Sequence, residues 1–141
     1  MDNEIPIIDL TDLISGKDAA GVAAAIGAAC RSVGFFYVTG HGIPDEVTRR
    51  FSAESRRFFA ATPEIKNAAS ITQSPHNRGD VGMGEEILDP DMPSDLKEAF
   101  NIGLELAADD PELLAGVPFR GVNLWPDLPD WRDNMLDYFD R

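Results

Sequence analysis

The side chains with the most capacity for chemistry are few and widely spaced. There are two histidines, His41 and His76, and Asp80 stands four residues after the second. An iron site of two histidines and one carboxylate could in principle draw on all three. The spacing argues against it: no His-x-Asp or His-x-His pair occurs, His41 lies in a Gly-His-Gly turn, and His76 lies in a polar loop. This chain by itself is therefore expected to hold no metal ligands and to have no specific affinity for iron(II).

Nucleophilic catalysis has no better footing. No Gly-x-Ser-x-Gly elbow occurs, and Cys30 falls on an apolar helix face, which assigns it to the core. Gly79-Asp-Val-Gly-Met-Gly84 lacks the spacing and the following helix of a phosphate loop, so its glycines are expected in strand bends and tight turns. Glu85 and Glu86 are adjacent and would point to opposite sides of a strand, a poor acid–base pair. No catalytic residue is assigned. Arg78 is the most suggestive single side chain. It stands in Pro75-His-Asn-Arg-Gly79, where a guanidinium could grip a substrate carboxylate bidentately or close a structural salt bridge with a nearby acid.

The elements that must position these groups follow from the apolar pattern. Ile5-Pro-Ile-Ile-Asp-Leu10 reads as an edge strand. Val22, Ile26, Ala29, Cys30 and Val33 recur at helical spacing over 19–33, and Gly34 follows as a left-handed cap. Phe35-Phe-Tyr-Val-Thr39 predicts a buried strand. Pro44, Asp45 and Glu46 open a helix whose apolar stripe is Val47, Phe51, Phe58 and Phe59, and Thr62-Pro63-Glu64 opens another. Residues 71–100 are irregular with short strand-like pieces. Residues 99–106 alternate like a strand through Phe100, Ile102, Leu104 and Leu106. Residues 129–141 form a helix with Trp131, Met135, Leu136 and Phe139 on one face. The order predicts an α+β fold with an unfinished sheet.

Composition narrows the partners. The chain has 141 residues with 25 acidic and 12 basic side chains, a net charge of −13. Residues 1–79 hold 9 acidic and 8 basic groups, so nearly all of the excess falls in 80–141. Neither nucleic acid nor an anionic membrane is an expected partner. A single cysteine and an N-terminus without a signal-peptide pattern predict a cytoplasmic location.

Several segments together resemble the N-terminal region of the iron(II)- and 2-oxoglutarate-dependent dioxygenases of the isopenicillin-N-synthase-like branch. They are Ile5-Pro-Ile-Ile-Asp-Leu10, Gly34-Phe-Phe-Tyr-Val-Thr-Gly-His-Gly-Ile-Pro44, Phe58-Phe59 with Pro63 and Lys66, Asn77-Arg-Gly79, Gly84-Glu-Glu86, Asp95-Leu-Lys-Glu-Ala-Phe-Asn-Ile-Gly103 and Asn123-Leu-Trp-Pro126. The resemblance implies helices and strands that flank and begin a double-stranded β-helix (jelly roll), incomplete here. Residues 1–141 then read as one non-haem dioxygenase N-terminal domain without the C-terminal iron-binding half.

The resemblance also implies a small-molecule oxygenase that uses Fe(II) and 2-oxoglutarate, neither of them held by this chain. The family's His-x-Asp, distant His and late Arg-x-Ser lie in the missing half. Arg50-Phe-Ser52 is a false match, because it falls in a helix. Arg78 and Asn101 are the candidate substrate-binding residues that the resemblance suggests. Asp80 departs from the family, where an aromatic residue usually follows Arg-Gly. The chain alone is expected to be inactive; the alternative is a binding or interaction module that kept the fold and lost the chemistry. The final helix and the strand at 99–106 have no evident partner in the sequence, which predicts exposed apolar surface, marginal stability or self-association.

Overall fold

Pro6 precedes the first strand, β1 (Ile7–Asp9), and the chain turns at once into a single helical turn, α1 (Thr11–Ile14). The computed structural model describes residues 4–86, 91 and 93–141. They fall into two compact units, Met1–Asp45 and Glu46–Arg141. Among the described residues no helix is long and apolar enough to cross a membrane.

In the first unit α2 (Ala19–Ser32) starts where the Asp18 carboxylate accepts the Gly21 N–H at 2.8 Å. It ends at Gly34, whose φ of 84° reverses the chain into β2 (Tyr37–Thr39). β1 and β2 pair in parallel, Ile7 opposite Tyr37 and Asp9 opposite Thr39. Strand alternation turns Ile8 toward Val22 and Ala29 of α2, with Leu10, Ile26 and Phe36 packed around them.

Two expectations fail here. Alternation leaves Ile7, Phe35 and Tyr37 on the opposite face, and Val38, the partner of Ile8, is exposed as well, so β2 is exposed along its length rather than buried. Cys30 is exposed rather than core, because it lies one step around α2 from buried Ala29.

The second unit contains α3 (Asp45–Phe59), α4 (Pro63–Ala68), a 3-10 turn (Ile71–Gln73), β3 (Gly79–Val81), β4 (Ala99–Asn101), α5 (Pro111–Leu114) and α6 (Trp131–Phe139). Arg50-Phe-Ser52 lies within α3, as expected. β3 and β4 are antiparallel, with Asp80 opposite Phe100. The core is aromatic. Phe58 is fully buried, and its ring centroid lies 4.8 Å from that of Phe100 and 5.3 Å from that of Trp131. Met135 completes it, with Phe51, Ile102, Trp125 and Leu128 against its sides. The Trp131 indole N–H donates to the Glu54 carbonyl at 3.0 Å, so its one polar atom is satisfied.

The final helix is therefore not without a partner. Trp131 and Met135 are buried within this unit, Leu136 is half-buried, and Phe139 is left exposed. The strand expected over 99–106 stops at Asn101. Beyond it the ladder is replaced by a side chain: Gly103 N–H donates to Asn123 Oδ1 at 2.8 Å, and Asn123 Nδ2 donates to the Gly103 carbonyl at 3.0 Å. Both backbone groups are satisfied without a neighbouring strand.

Phe58→Ala should lower the stability of the chain by about 3–5 kcal/mol in urea unfolding, the cost of emptying a buried aromatic site. Phe59→Ala, next door on α3 but exposed, should cost much less. Equal losses at the two positions would contradict the core described above.

Candidate functional site

Alternation along β4 decides which side chains reach a cavity. Phe100 turns into the aromatic core, and Asn101 turns the other way. Asn101 lines a cavity of about 640 Å³ together with Ile71, Thr72, Asn77, Val81, Gly84, Glu85 and Glu86. The opposing strand obeys the same rule. Val81 faces the cavity, and Asp80, opposite Phe100, is turned away from it.

Gly79 makes β3 possible. Its φ is 108°, and a Cβ there would stand 2.2 Å from the Ala69 carbonyl oxygen. That closeness lets Asp80 N–H donate to Ala69 O at 2.8 Å, which ties β3 to the segment leading into the 3-10 turn. Gly84, with φ of 76°, turns the cavity wall. The glycines thus act as bends and turns, as their spacing implies.

Glu85 and Glu86 are corrected. They follow the turn at Met83–Gly84 rather than lie in a strand, and both line the same cavity instead of opposite faces. Neither is free to act as a general base. Glu85 accepts the Gly82 N–H at 2.8 Å, and Glu86 is paired with Lys97. The neutral hydrogen-bonding side chains on the wall are those of Thr72, Asn77 and Asn101.

The Arg78 guanidinium is held by backbone carbonyls. Its Nη1 donates to the His76 carbonyl at 2.9 Å, and its Nη2 donates to the Phe119 carbonyl at 2.8 Å. Among the described residues it makes no ion pair, and it is not among the residues lining the cavity. The two histidines are also occupied locally. His41 Nδ1 accepts the Ile43 N–H at 3.1 Å, and the His76 ring lies where a Cβ on Gly121 would stand, 2.0 Å from its Cδ2. Among the described residues no three His, Cys, Asp or Glu side chains converge as a metal site would require. The described residues do not fit an iron centre.

Asp80 is buried in β3. Its Oδ1 has no hydrogen-bond partner. Burial pushes its carboxyl above the usual aspartate range; the Lys66 ammonium opposes this, while Glu98 and Glu85 add to it. Lys66 itself is engaged with Glu98 at 2.7 Å. Asn123 is the buried polar group that reading for chemistry passed over. Besides Gly103 it donates to Glu105 Oε2 at 2.6 Å, and Arg132 grips Glu105 Oε1 at 2.8 Å. Partial burial alone would raise the Glu105 carboxyl, but the bonds from Asn123 and Arg132 outweigh it and hold it below the usual glutamate range. The signal was the Asn123-Leu-Trp-Pro126 segment, visible as a motif but not as a clamp.

The profile of a family described as the N-terminal region of a non-haem dioxygenase in morphine synthesis matches residues 5–128. Kihadalactone A synthase LFS of Citrus sinensis is 33% identical over 141 residues, covering 96% of this chain and 41% of that protein. The 2-oxoglutarate-dependent dioxygenase thnC of Trichoderma harzianum is 34% identical over 145 residues, covering 99% of this chain and 44% of that protein. A full-length Neurospora crassa protein crystallised with alpha-KG and thymine superposes with a TM-score of 0.70 at 27% identity, over 96% of this chain and 43% of its own. The chain thus spans about two fifths of the length of these relatives.

Asp80→Asn should stabilise the chain at neutral pH. A carboxyl whose folded pKa is raised lends stability below its unfolded value, about 3.9, and that stability is lost as pH rises through the folded value. Removing the charge should raise stability at pH 7, because a carboxamide carries no desolvated charge into the buried position. It should also flatten the fall in melting temperature above pH 4. An Asn variant less stable than the parent at pH 7 would show that attraction to Lys66 outweighs burial.

Proposed function

Because the chain belongs to the non-haem dioxygenase N-terminal family, we propose that it is the N-terminal part of an iron(II)- and 2-oxoglutarate-dependent oxygenase that oxidises a small molecule. Residues 1–141 are its N-terminal domain, and their strands flank and begin a jelly roll that this chain does not complete. Iron and 2-oxoglutarate would supply the oxidising chemistry from the remainder of such an enzyme, because the described residues form no metal site. The chain alone is inactive on this reading.

What the chain contributes is one wall of the substrate site. The observation that carries this is the cavity faced by Asn101, on a strand whose other face is locked into the aromatic core. Asn77, Asn101 and Thr72 offer donors and acceptors for a polar substrate, and Ile71 and Val81 offer apolar contact. Glu85 and Glu86 keep the wall acidic even though each is engaged elsewhere. The Neurospora crassa relative was crystallised with a small, uncharged ring, thymine, and a substrate of comparable size fits a cavity of this volume.

Incubated with iron(II), ascorbate and 2-oxoglutarate, the 141-residue chain should release no succinate. A polypeptide that continues it with a His-x-Asp and a later His should do so. Succinate release by the chain alone, abolished by both His41→Ala and His76→Ala, would overturn the assignment. In the longer polypeptide, Asn101→Ala should raise KM for the oxidised substrate about tenfold, the loss of roughly one good hydrogen bond of 1.4 kcal/mol. Rates of uncoupled 2-oxoglutarate turnover should stay unchanged.

A further inference from the structure

The Arg78 side chain holds an unusual set of partners. Among the described residues only three non-glycine positions have positive φ: Asn77 at 61°, Phe119 at 62° and Asp130 at 62°. Such conformations are costly for ordinary side chains and persist where surrounding groups hold them. The Arg78 guanidinium bonds to the carbonyls of two of them. Its Nη2 reaches Phe119 O at 2.8 Å, and its Nη1 reaches Asn77 O at 3.4 Å as well as His76 O at 2.9 Å.

The plane of the guanidinium lies against Gly103. A Cβ there would stand 2.2 Å from both Nε and Nη2, so the glycine gives the group its seat. The closeness to Gly103 leaves Nε buried without a hydrogen-bond partner. One guanidinium therefore joins three stretches of the second unit: the turn at 76–77, the turn at 119 and the backbone just past β4. Two of those stretches carry Asn77 and Asn101 onto the cavity wall.

We propose that Arg78 is a positioning residue: by clamping the two left-handed turns onto Gly103 it fixes where the Asn77 and Asn101 carboxamides stand on the cavity wall. It touches no ligand itself. The inference rests on the cavity being the substrate wall only for its functional meaning, since the clamp can be tested without any substrate. A guanidinium is suited to the task because its fixed fork of donors can serve several carbonyls at once, whereas an ammonium is a single point.

Two variants of the 141-residue chain decide it, read by amide and side-chain carboxamide cross-peaks in two-dimensional NMR alongside a thermal melt. Arg78→Lys keeps the charge and loses the fork. Gly103→Ala keeps the arginine but pushes its flexible end off its seat, leaving the backbone free to fold. In both, the carboxamide signals of Asn77 and Asn101 and the amides next to Phe119 should shift together, while signals from α6 stay in place and the melt remains cooperative. If Arg78→Lys does not fold, Gly103→Ala alone carries the test. Unmoved carboxamide signals in Gly103→Ala, with or without a lowered melt, would overturn the positioning role. If the signals move as expected but Asn101→Ala leaves KM of the longer polypeptide unchanged, the clamp stands and the substrate-wall assignment fails.

Discussion

The second unit depends on the packing of Phe58 against Trp131 and Phe100. These rings come from α3, α6 and β4, segments far apart in the chain; Phe58–Phe100 and Phe100–Trp131 meet edge to face, and Phe58–Trp131 is tilted at 42°. Phe100 is the pivotal member because it belongs to both the core and the β3–β4 sheet. Fixing its ring fixes the pleat of β4, and the pleat sends Asn101 to the opposite side. The cavity wall is thus a consequence of core packing. The bond from the Trp131 indole to the Glu54 carbonyl adds direction to this packing, setting α6 at one height along α3.

The same pleat has a cost on the other strand. Asp80 is opposite Phe100 and is carried to the buried side with an oxygen that finds no donor. An aromatic residue there would add apolar contact; an aspartate adds a desolvated charge. Lys66 is close enough to temper that charge but is already engaged with Glu98. Asn123 shows the opposite outcome. It is nearly as buried, yet both ends of its carboxamide are used, on Gly103 and Glu105. Two buried polar side chains in one unit therefore pull stability in opposite directions, according to whether partners surround them.

The first unit solves a smaller problem with fewer residues. A helix laid over two parallel strands buries Ile8, Val22 and Ala29 on one face. The other face keeps Ile7, Phe35 and Tyr37 exposed. Parallel strands are ordinarily covered on both faces, so this face is the chief apolar surface of the unit. Exposed apolar surface is found on this sheet and, in the second unit, at Leu104 and Phe139, while Trp131 and Met135 of the final helix are covered.

Local pattern by itself determined most of the elements. Helical spacing from Val22 to Val33, the cap at Gly34, the proline and acids before α3 and the Thr62-Pro63-Glu64 start all act within a few residues, so their outcome is readable from the chain alone. The family motifs were legible for the same reason, and the matched profile over residues 5–128 agrees with them. Burial was not legible. Whether Cys30, Phe35 or Trp131 is covered depends on what a distant segment places over it, and periodicity names a face without naming its cover. The site was divided in the same way. Asn101 reached the cavity because β4 pairs with β3 in one register and not the next. Arg78 is held by three carbonyls, one of them 41 residues away in the chain, that only folding brings to its guanidinium. Tertiary structure decided those roles, since a side chain takes the partners that folding brings to it.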